Sequence, residues 1–517
     1  MNPQKNFWPG VFAIVLGTFM AVLDTSIVNV AIPEMMSVFG VSADEIQWVI
    51  TAYTLAMAAI IPLSGYASTR FGLKKSYLAS LFLFTLGSCF CGFAWSSGTM
   101  VASRIIQAVG GGLMMTIGQS MIQYVVPREK IGPAMGVFGI SVFVAPAIGP
   151  VLSGYFVQYL DWRLIFTVNI PFGLLAMLLV WHFLQESEPK KDHPFDLFGF
   201  LFSAVMLVAL LLACTKGEEW GWDSFPIVSL FLTALAAGVL FVVWELSTEH
   251  PLVDVRLFLI RDFSLGLLVN SLLMAGNFGL IYLLPIYSEN MLGHSAMETG
   301  LLLLPQAIAS GVITPLCGFL AFKTGLKPLI FTGILFCAIS GLWIAAVDLN
   351  TDYTHLQWLL TLRGIGLGLC LMTSMQIPLI CISDQNRVPA ASVITNVCRQ
   401  VATSVGIAAL ISLFSHRSVQ HAAHLAESVT ATGPIHTEVI RQWEQLFLSQ
   451  GFSAQDAAIL AVQMVSQLVK KYASIHALQD SLLAVAVVLF AALGATLLVK
   501  ERKLAPGSRY EQTMPAE

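Results

Sequence analysis

Charged residues are scarce in this 517-residue sequence, where Asp, Glu, Lys and Arg together make up only 11%. Soluble domains carry roughly 25% charged residues. Hydrophobic residues reach 56%, which is more than the core of a soluble protein absorbs, whereas a lipid bilayer accommodates it. The composition therefore excludes an ordinary soluble domain and indicates an integral membrane protein, and we expect no nucleic-acid partner.

The sequence has neither a cysteine pattern for metal binding or disulfides nor a nucleotide-binding motif. The eight cysteines all fall inside apolar segments without zinc-ligand spacing, so we interpret them as small buried residues and expect no disulfide framework. No Walker A pattern is present, which argues against an ATP-driven pump. His416, His421 and His424 could suggest a metal site in a membrane-embedded enzyme, the alternative of a different class. His421 and His424 stand in a polar helical stretch without acidic residues at ligand spacing, so a solvated helix face is favoured, and neither a metal nor a cofactor is expected.

Long apolar runs recur along nearly the whole sequence. A helix needs about 20 mostly apolar residues to span a bilayer. The first run continues past Asp24 without a clear small-residue cleavage site, so it is interpreted as a retained helix. The runs predict fourteen transmembrane helices, at 9–31, 45–69, 76–96, 99–126, 131–157, 163–184, 196–214, 225–247, 262–289, 296–322, 328–347, 355–382, 388–413 and 478–499.

The distribution of Lys and Arg predicts the orientation. With the N-terminus in the cytoplasm, the short outer loops hold only Arg163 and Lys216. The positive-inside rule then places both termini in the cytoplasm, which requires an even number of helices. The cytoplasmic side holds Lys5, Arg70, Lys74, Lys75, Arg128, Lys130, Lys190, Lys191, Arg256, Arg261, Lys323, Lys327, Arg387, Lys500, Arg502, Lys503 and Arg509.

An internal repeat divides the sequence into two related halves. Gly65, Arg70, Gly72 and Lys74 are matched by Gly318, Lys323, Gly325 and Lys327, each 253 residues later (Gly65 to Gly318). Two related six-helix halves are a known transporter architecture. The sequence therefore predicts an all-α membrane fold with bundles at 1–190 and 262–517, an inserted pair of helices 7 and 8 at 191–261, and an extracytoplasmic helical hairpin at 414–477 between helices 13 and 14.

Helix 1 carries a carboxylate, Asp24, within the stretch from Leu23 to Pro33. A carboxylate inside a spanning helix is costly and usually faces a polar cavity. Burial favours its protonated form and lets it take up and release a proton near neutral pH. We interpret Asp24 as a proton-coupling residue, and the alternative is a structural hydrogen-bond acceptor.

Helix 4 carries Arg104 and Gln107, which lie one turn apart on one face. An arginine near the middle of the membrane requires partners. It could assist a nearby acid or bind an anionic group, and the alternative is structural pairing with backbone carbonyls.

The repeated loop between helices 2 and 3 and the small-residue face of helix 5 point to conformational change. In the loop, Gly65 and Gly72 permit close approach and a tight turn, while Arg70 and Lys74 are explained in part by topology alone. In helix 5, Ala145, Gly149 and Ser153 form one smooth face, and Pro146 and Pro150 bend the helix. We interpret Gly65, Arg70, Gly72, Lys74, Gly149, Pro150 and Gly154 as gating residues, with plain helix packing as the alternative.

These motifs together resemble the major facilitator superfamily, and within it the 14-helix drug:proton antiporters of the EmrB/QacA type. The stretch around Asp24 resembles that group's acidic signature, Gly65–Lys75 the loop 2–3 motif, Arg104–Gln107 the helix 4 arginine motif and the helix 5 pattern the antiporter motif. Thr69 departs from the loop motif, which usually has Asp there. A further stretch in helix 13 adds to the similarity, with Ala391, Ser392, Asn396, Arg399, Gln400 and Gly406.

The resemblance implies proton-driven efflux of hydrophobic or amphipathic small molecules across the inner membrane, in contact with membrane lipids and with the proton gradient as energy source. Export of one specific endogenous metabolite or lipid-like compound stays open. Substrate identity cannot be inferred from the sequence. The candidate cavity residues are Asn29, Gln107, Met114, Met115, Phe143, Asn277, Tyr282, Gln306, Met372, Gln376 and Arg399, although core packing is the better expectation for any single methionine.

The long segment 414–477 requires an explanation, because short turns suffice to join helices. His416 to Ala431 is predicted to extend helix 13, and Ser453 with Asp456 resembles a capping box that begins another helix. Leu460, Met464, Leu468 and Tyr472 then form an apolar stripe. EmrB-like proteins resemble this chain in having such a segment. The resemblance implies that the segment docks to a periplasmic membrane-fusion adaptor (EmrA-like), which works with an outer-membrane channel (TolC-like). The alternative is that the hairpin packs only on itself.

Overall fold

The computed structural model describes residues 7–127, 130–189, 194–349, 351–382, 387–428 and 434–500. Within these ranges the secondary structure is helical, with no β-strand. The first half contains α1 (Trp8–Phe39), α2 (Ala43–Ile46), α3 (Trp48–Ile60), α4 (Leu63–Phe71), α5 (Leu73–Gly92), α6 (Ser97–Val125), α7 (Ile131–Tyr159), α8 (Leu164–Thr167) and α9 (Asn169–Phe183). The inserted pair is α10 (Leu197–Trp220) and α11 (Phe225–Ser247).

The second half begins after a short 3₁₀ helix, Val255–Leu259, and contains a π-helical turn, Tyr287–Met291, directly after α12. Its α-helices are α12 (Arg261–Ile286), α13 (Ala296–Thr324), α14 (Leu326–Ile344), α15 (Tyr353–Ile380), α16 (Val388–Ser428), α17 (Pro434–Ser449) and α18 (Ala454–Leu498).

Eleven described helices are long and apolar enough to cross a membrane, and two bent helix pairs raise this number to 13. One bent pair is Ala43–Ile60 with Leu63–Phe71, at 53°. The other is α7, whose halves meet at 42° after Pro146, so the proline bend predicted for helix 5 is present. The remaining predicted span is α5, a 20-residue helix that begins beside Lys74 and Lys75. The fold is thus a membrane bundle of about fourteen helices, as predicted.

The last two spans are parts of longer helices, which was predicted for helix 13 by the extension from His416 but not for helix 14. The predicted helix at 388–413 continues to Ser428, and the predicted helix at 478–499 begins at Ala454, so neither 414 nor 477 is a helix boundary. The reason is that apolar composition changes at those points while no glycine or proline interrupts the helix. Ser453 caps α18 as expected, because its hydroxyl accepts from the Asp456 backbone N–H at 3.2 Å. The predicted extension from His416 is helical as far as Ser428, beyond which 429–433 lies outside the described residues.

The repeated lysines make equivalent contacts in the two halves. Lys74 Nζ donates to the carbonyl of Trp181 at 2.7 Å, near the end of α9. Lys327 Nζ donates to the carbonyls of Leu497 and Val499 at 2.8 and 2.9 Å, at the end of α18. In both halves, therefore, the third membrane helix starts with a lysine that binds carbonyls at the C-terminal end of the last membrane helix of that half. The helix dipole makes a cation favourable at this end.

Close packing of α7 on α13 joins the two halves. The two helices run antiparallel, and glycines line their contact at several levels. A Cβ at Gly136 would lie 2.5 Å from the Cα of Pro315, and one at Gly318 would lie 2.2 Å from the carbonyl oxygen of Gly132. Nearer the other end, a Cβ at Gly300 would lie 2.9 Å from the side chain of Val151. Small residues thus let the two backbones approach along most of their length.

Candidate functional site

Asp24 lies in the middle of α1, fully buried, where it accepts hydrogen bonds from several helices. Arg104 in α6 forms an ion pair with it through Nη1 and Oδ2. Gln107 Nε2 donates to Asp24 Oδ1 at 2.8 Å, and Asn169 Nδ2 in α9 reaches the same oxygen at 3.5 Å. The buried carboxylate of α1 therefore receives donors from two other membrane helices.

Arg104 is held on every side. Its Nη1 also donates to Gln107 Oε1 at 2.7 Å, and its Nε donates to the carbonyl of Val49 at 3.3 Å. The guanidinium carbon lies 3.9 Å from the ring centroid of Tyr53 and 5.6 Å from that of Phe166, both cation–π distances. The arginine is only 1% exposed, so its geometry is fixed by the protein and not by solvent.

Ser88 and Asn169 complete the network, and sequence reasoning missed both. Gln107 Nε2 donates to Ser88 Oγ at 2.7 Å, and Asn169 Nδ2 lies 3.5 Å from the same hydroxyl. Both residues are buried. Asn169 had a weak signal, as an amide at the start of an apolar run, whereas a serine in a membrane helix is too common to single out.

The charge balance of this network depends on whether Asp24 is ionised or protonated. In the ionised state, Asp24 is matched by Arg104 and by two amide donors. When Asp24 takes up a proton, Arg104 loses its charge partner and has Gln107, Val49 and the Tyr53 ring as remaining contacts. Protonation therefore changes the bonding between α1 and α6, which is the kind of local charge event that biases a helix rearrangement.

A second buried arginine lies in the other half. Arg363 in α15 donates through Nη2 to the side-chain oxygen of Asn277 at 2.5 Å and to its carbonyl at 3.3 Å. Both residues are about 1% exposed or less. Gln306, from α13, packs its backbone against Gly364, where a Cβ would lie 2.4 Å from the Gln306 carbonyl oxygen. Of the cavity candidates, Asn277 is thus bonded to this arginine, while Gln306 packs against the neighbouring residue Gly364.

The three methionine candidates share one hydrophobic cluster, whereas the other cavity candidates are dispersed. Met114 of α6 and Met372 of α15 are buried in this cluster, which contains residues of both halves, and Gln107 belongs to the Asp24 network. Met115, Gln376 and Arg399 are half-buried, Asn29 and Tyr282 are exposed, and the side chain of Phe143 lies outside the described residues. Arg399 Nη2 donates to Asn396 Oδ1 at 3.1 Å, and Asn396 Nδ2 donates to Gln119 Oε1 at 3.1 Å, which links α16 to α6 across the two halves.

The loop motif forms a compact corner. Gly72 has a φ of 91°, and Glu186 approaches it so closely that a Cβ there would lie 2.3 Å from Oε1. The Glu186 carboxylate accepts from the backbone N–H groups of Lys74 and Lys75 at 2.9 and 3.1 Å, and so caps α5. Arg70 is half-buried.

The Gly65 end of the motif faces the second half. A Cβ at Gly65 would lie 3.1 Å from Val393 in α16, and Thr69 Oγ1 donates back to the Gly65 carbonyl at 2.9 Å. A cavity of about 210 Å³ opens here, and an ion pair of Arg387 with Asp254, at 3.8 Å, lies in its wall. Thr69, which stands where the loop motif usually has Asp, therefore bonds to the backbone of its own helix.

The helix 5 motif lies directly beside the Asp24 region. A Cβ at Gly149 would lie 2.1 Å from Ser26 Oγ, two residues from Asp24. Ala145 and Ser153, on the same face, are fully buried. A Cβ at Gly154 would have no heavy atom within 4 Å, and Pro150 is half-buried beyond the bend. Of these residues, Gly149 therefore has the tight contact with α1.

Known proteins resemble this chain in sequence and in fold. The sequence profile of the Major Facilitator Superfamily matches residues 14–407. The multidrug export protein EmrB of Haemophilus influenzae is 31% identical over 459 residues, 88% of this chain and 89% of that protein. The fatty acid resistance protein FarB of Neisseria gonorrhoeae is 30% identical over 438 residues, 84% of this chain and 86% of that protein.

Among solved structures, the human organic anion transporter MFSD10 superposes with a TM-score of 0.60 at 13% identity, over 94% of this chain and 100% of that one. This likeness concerns the fold alone. The family match indicates a transporter and not an enzyme. With the match covering most of its length, the chain belongs to the Major Facilitator Superfamily.

Proposed function

We propose that this protein is a proton-coupled multidrug exporter that moves hydrophobic or amphipathic small molecules out of the cell by alternating access. The observation that carries the proposal is the buried network of Asp24, Arg104 and Gln107. The similarity to EmrB over nearly the whole chain supports efflux of many compounds as the activity.

Asp24 is the proton site in this proposal. The described residues place one cation, Arg104, in contact with it, so the charge of the pair changes by one unit when the carboxylate is protonated. Gly149 in α7 packs beside Ser26, so α1 and α7 meet close to the carboxylate. A shift of α1 on protonation is thereby passed to α7, and from α7 to α13 through the glycine contacts between the halves.

Transport in reconstituted vesicles tests this function. The purified protein is placed in liposomes with an imposed pH gradient, and uptake of ethidium is followed together with the internal pH. We expect uptake that stops when a protonophore collapses the gradient, and proton movement that starts when substrate is added. Uptake unaffected by the protonophore would contradict proton coupling.

We further propose that the protein is the inner-membrane subunit of a tripartite pump. α16 and α18 continue well past the apolar spans, and α17 packs against α18, which gives a long helical projection. Leu468 and Tyr472 of the predicted stripe remain exposed at its surface, at 36% and 50%. Such a surface suits a periplasmic adaptor of the EmrA type, connected to an outer-membrane channel of the TolC type.

The proposed location is the inner membrane with both termini in the cytoplasm. The asymmetry of Lys and Arg supports this orientation. It puts the corner formed by Gly72 and Glu186 inside the cell and the projection in the periplasm. A reporter enzyme active only in the periplasm, fused after residue 500, is expected to be inactive, whereas the same reporter inserted at 429–433 is expected to be active.

A second candidate function is export of one endogenous lipid-like compound. This candidate is supported by the 30% identity to a protein named fatty acid resistance protein FarB. Export of a single compound class, with no protection against chemically unrelated toxic compounds in a pump-deficient host, would favour this alternative over multidrug efflux.

A further inference from the structure

Asp24 and Asn277 occupy corresponding positions in the two halves. The separation of 253 residues that relates Gly65 to Gly318 also relates Asp24 to Asn277. Both residues lie in the first membrane helix of their half, α1 or α12. Each accepts from a buried arginine in the fourth membrane helix of the same half, Arg104 in α6 or Arg363 in α15.

The two pairs differ in charge. In the first half a carboxylate neutralises the arginine, whereas in the second half the partner is a neutral amide. Within the described part of 262–500, Arg363 is the one Asp, Glu, Lys or Arg side chain that is buried. A buried guanidinium without a counter-ion is costly, so its environment favours an anion.

Arg363 has hydrogen-bond donors without a partner, to which such an anion would bind. Only Nη2 is bonded, to Asn277. Its Nε and Nη1 are buried and have no hydrogen-bond partner among the described residues. Nε and Nη1 lie on opposite edges of the planar guanidinium, so either one can donate a charge-assisted hydrogen bond to an oxygen of a carboxylate.

We propose that Arg363 binds the carboxylate of anionic amphipathic substrates, so that the second half holds a cargo carboxylate where the first half holds its own, Asp24. The proposal rests on the transport function proposed above and names a substrate class for it. Asn277 is the residue that makes the site available, because its neutral amide orients the guanidinium without neutralising it. The apolar chain of the substrate would lie among the hydrophobic side chains of α12 and α15.

Three probes with one alkyl chain test the site: laurate, methyl laurate and dodecyltrimethylammonium, which differ in head-group charge. Thermal unfolding of the purified protein in nanodiscs is measured with each probe and with sodium chloride alone. We expect laurate to stabilise the wild-type protein more than methyl laurate or chloride does. In liposomes with a pH gradient, we expect transport of both laurate and dodecyltrimethylammonium.

Variants then identify the residue. Asn277→Asp supplies an internal carboxylate and is expected to weaken laurate binding by about tenfold or more, since the anion must compete with it. Arg363→Gln is expected to do the same. In both variants the ratio of laurate transport to dodecyltrimethylammonium transport should fall. Asn270→Asp is the matched control, since it makes the same change two turns earlier in α12, where the amide bonds to Ser374 Oγ at 3.0 Å, and it should keep laurate binding.

Several outcomes would overturn the proposal. They are equal stabilisation by laurate and methyl laurate, equal stabilisation by chloride, and laurate binding that is unchanged in Asn277→Asp. If Arg363→Gln fails to fold, Asn277→Asp decides the question, because it keeps the arginine. Wild-type transport of dodecyltrimethylammonium without any laurate effect refutes only the carboxylate site, whereas absence of gradient-driven transport of every probe refutes the proposed function itself.

Discussion

The carboxylate of Asp24 in α1 and the guanidinium of Arg104 in α6 form a fully buried ion pair between two membrane helices. The pair is embedded in amides and aromatic rings, with Gln107 bonded to both members. Breaking such a pair from one side leaves an uncompensated charge, which typically costs about 3–5 kcal/mol. Stability and the proposed proton exchange therefore depend on the same two side chains.

Replacement of Asp24 by Asn is expected to abolish transport against a gradient, because an amide does not take up or release a proton near neutral pH. Vesicles should still bind substrate and allow downhill movement. Gradient-driven ethidium uptake, compared with binding to the purified protein, measures the difference. Uphill transport at the wild-type rate would remove Asp24 from the mechanism.

Replacement of Arg104 by Ala is expected to lower both transport and thermal stability, since it leaves Asp24 buried without its counter-ion. Arg104→Lys should retain a part of each at most, because lysine offers no planar group for Tyr53. The double variant Asp24→Asn with Arg104→Gln should recover stability relative to Arg104→Ala but not transport. Recovery of proton-coupled transport in the double variant would contradict the assigned roles.

Replacement of Gly72 by Ala is expected to disrupt the corner between α4 and α5. The backbone there, with φ 91° and ψ 156°, is a conformation available almost only to glycine and costs other residues about 1–3 kcal/mol. The new methyl would also meet Glu186. Gly154→Ala is the control, since its methyl meets nothing within 4 Å. Thermal unfolding and transport are compared, and equal behaviour of the two variants would contradict the assignment.

Replacement of Gly136 by Ala is expected to separate α7 from α13, because its methyl would lie 2.5 Å from the backbone of Pro315. Gly311→Ala in the same contact is a milder change, because its methyl would lie 3.1 Å from a side-chain carbon of Val144. Transport should fall several-fold more for Gly136→Ala. An equal loss of transport in the two variants would contradict the role assigned to the close contact of α7 with α13.

Deletion of the projection tests adaptor docking. Ser418 and Ser474 have their hydroxyl oxygens 3.4 Å apart, so a short flexible linker can replace 418–474 without moving the helix ends. We expect insertion and vesicle transport to be spared, while co-purification with the adaptor and resistance of whole cells are lost. Whole-cell efflux that survives the deletion would assign the segment to a lid or a stabilising cap.

The sequence predicted the fold well because its main signals are local. Apolar runs located the fourteen spans, and charged residues inside apolar runs located Asp24 and Arg104. Contacts between distant segments could not be predicted in this way. The capping of α5 by Glu186, 112 residues away from Lys74, and the bonds of Ser88 and Asn169 depend on packing that no spacing rule encodes.

Helix ends were the least predictable feature, for a physical reason. The apolar window that marks a bilayer span ends where the lipid ends, whereas a helix ends only where its backbone hydrogen bonds end. α18 shows the difference, since it starts at Ala454 and its apolar part was expected to start at 478. The role of its exposed stripe stays a prediction.

The 45 residues of α18 form one continuous rod, which at 1.5 Å per residue is about 67 Å long, roughly twice the thickness of the hydrocarbon core. Its inner part packs against α12 and α14 in the second half, and its outer part packs against α16 and α17. A rod anchored at one end works as a lever: a tilt of about 10° in the membrane would carry its far end through roughly 10 Å. If this tilt occurs in each transport cycle, a protein bound to the far end would move with it.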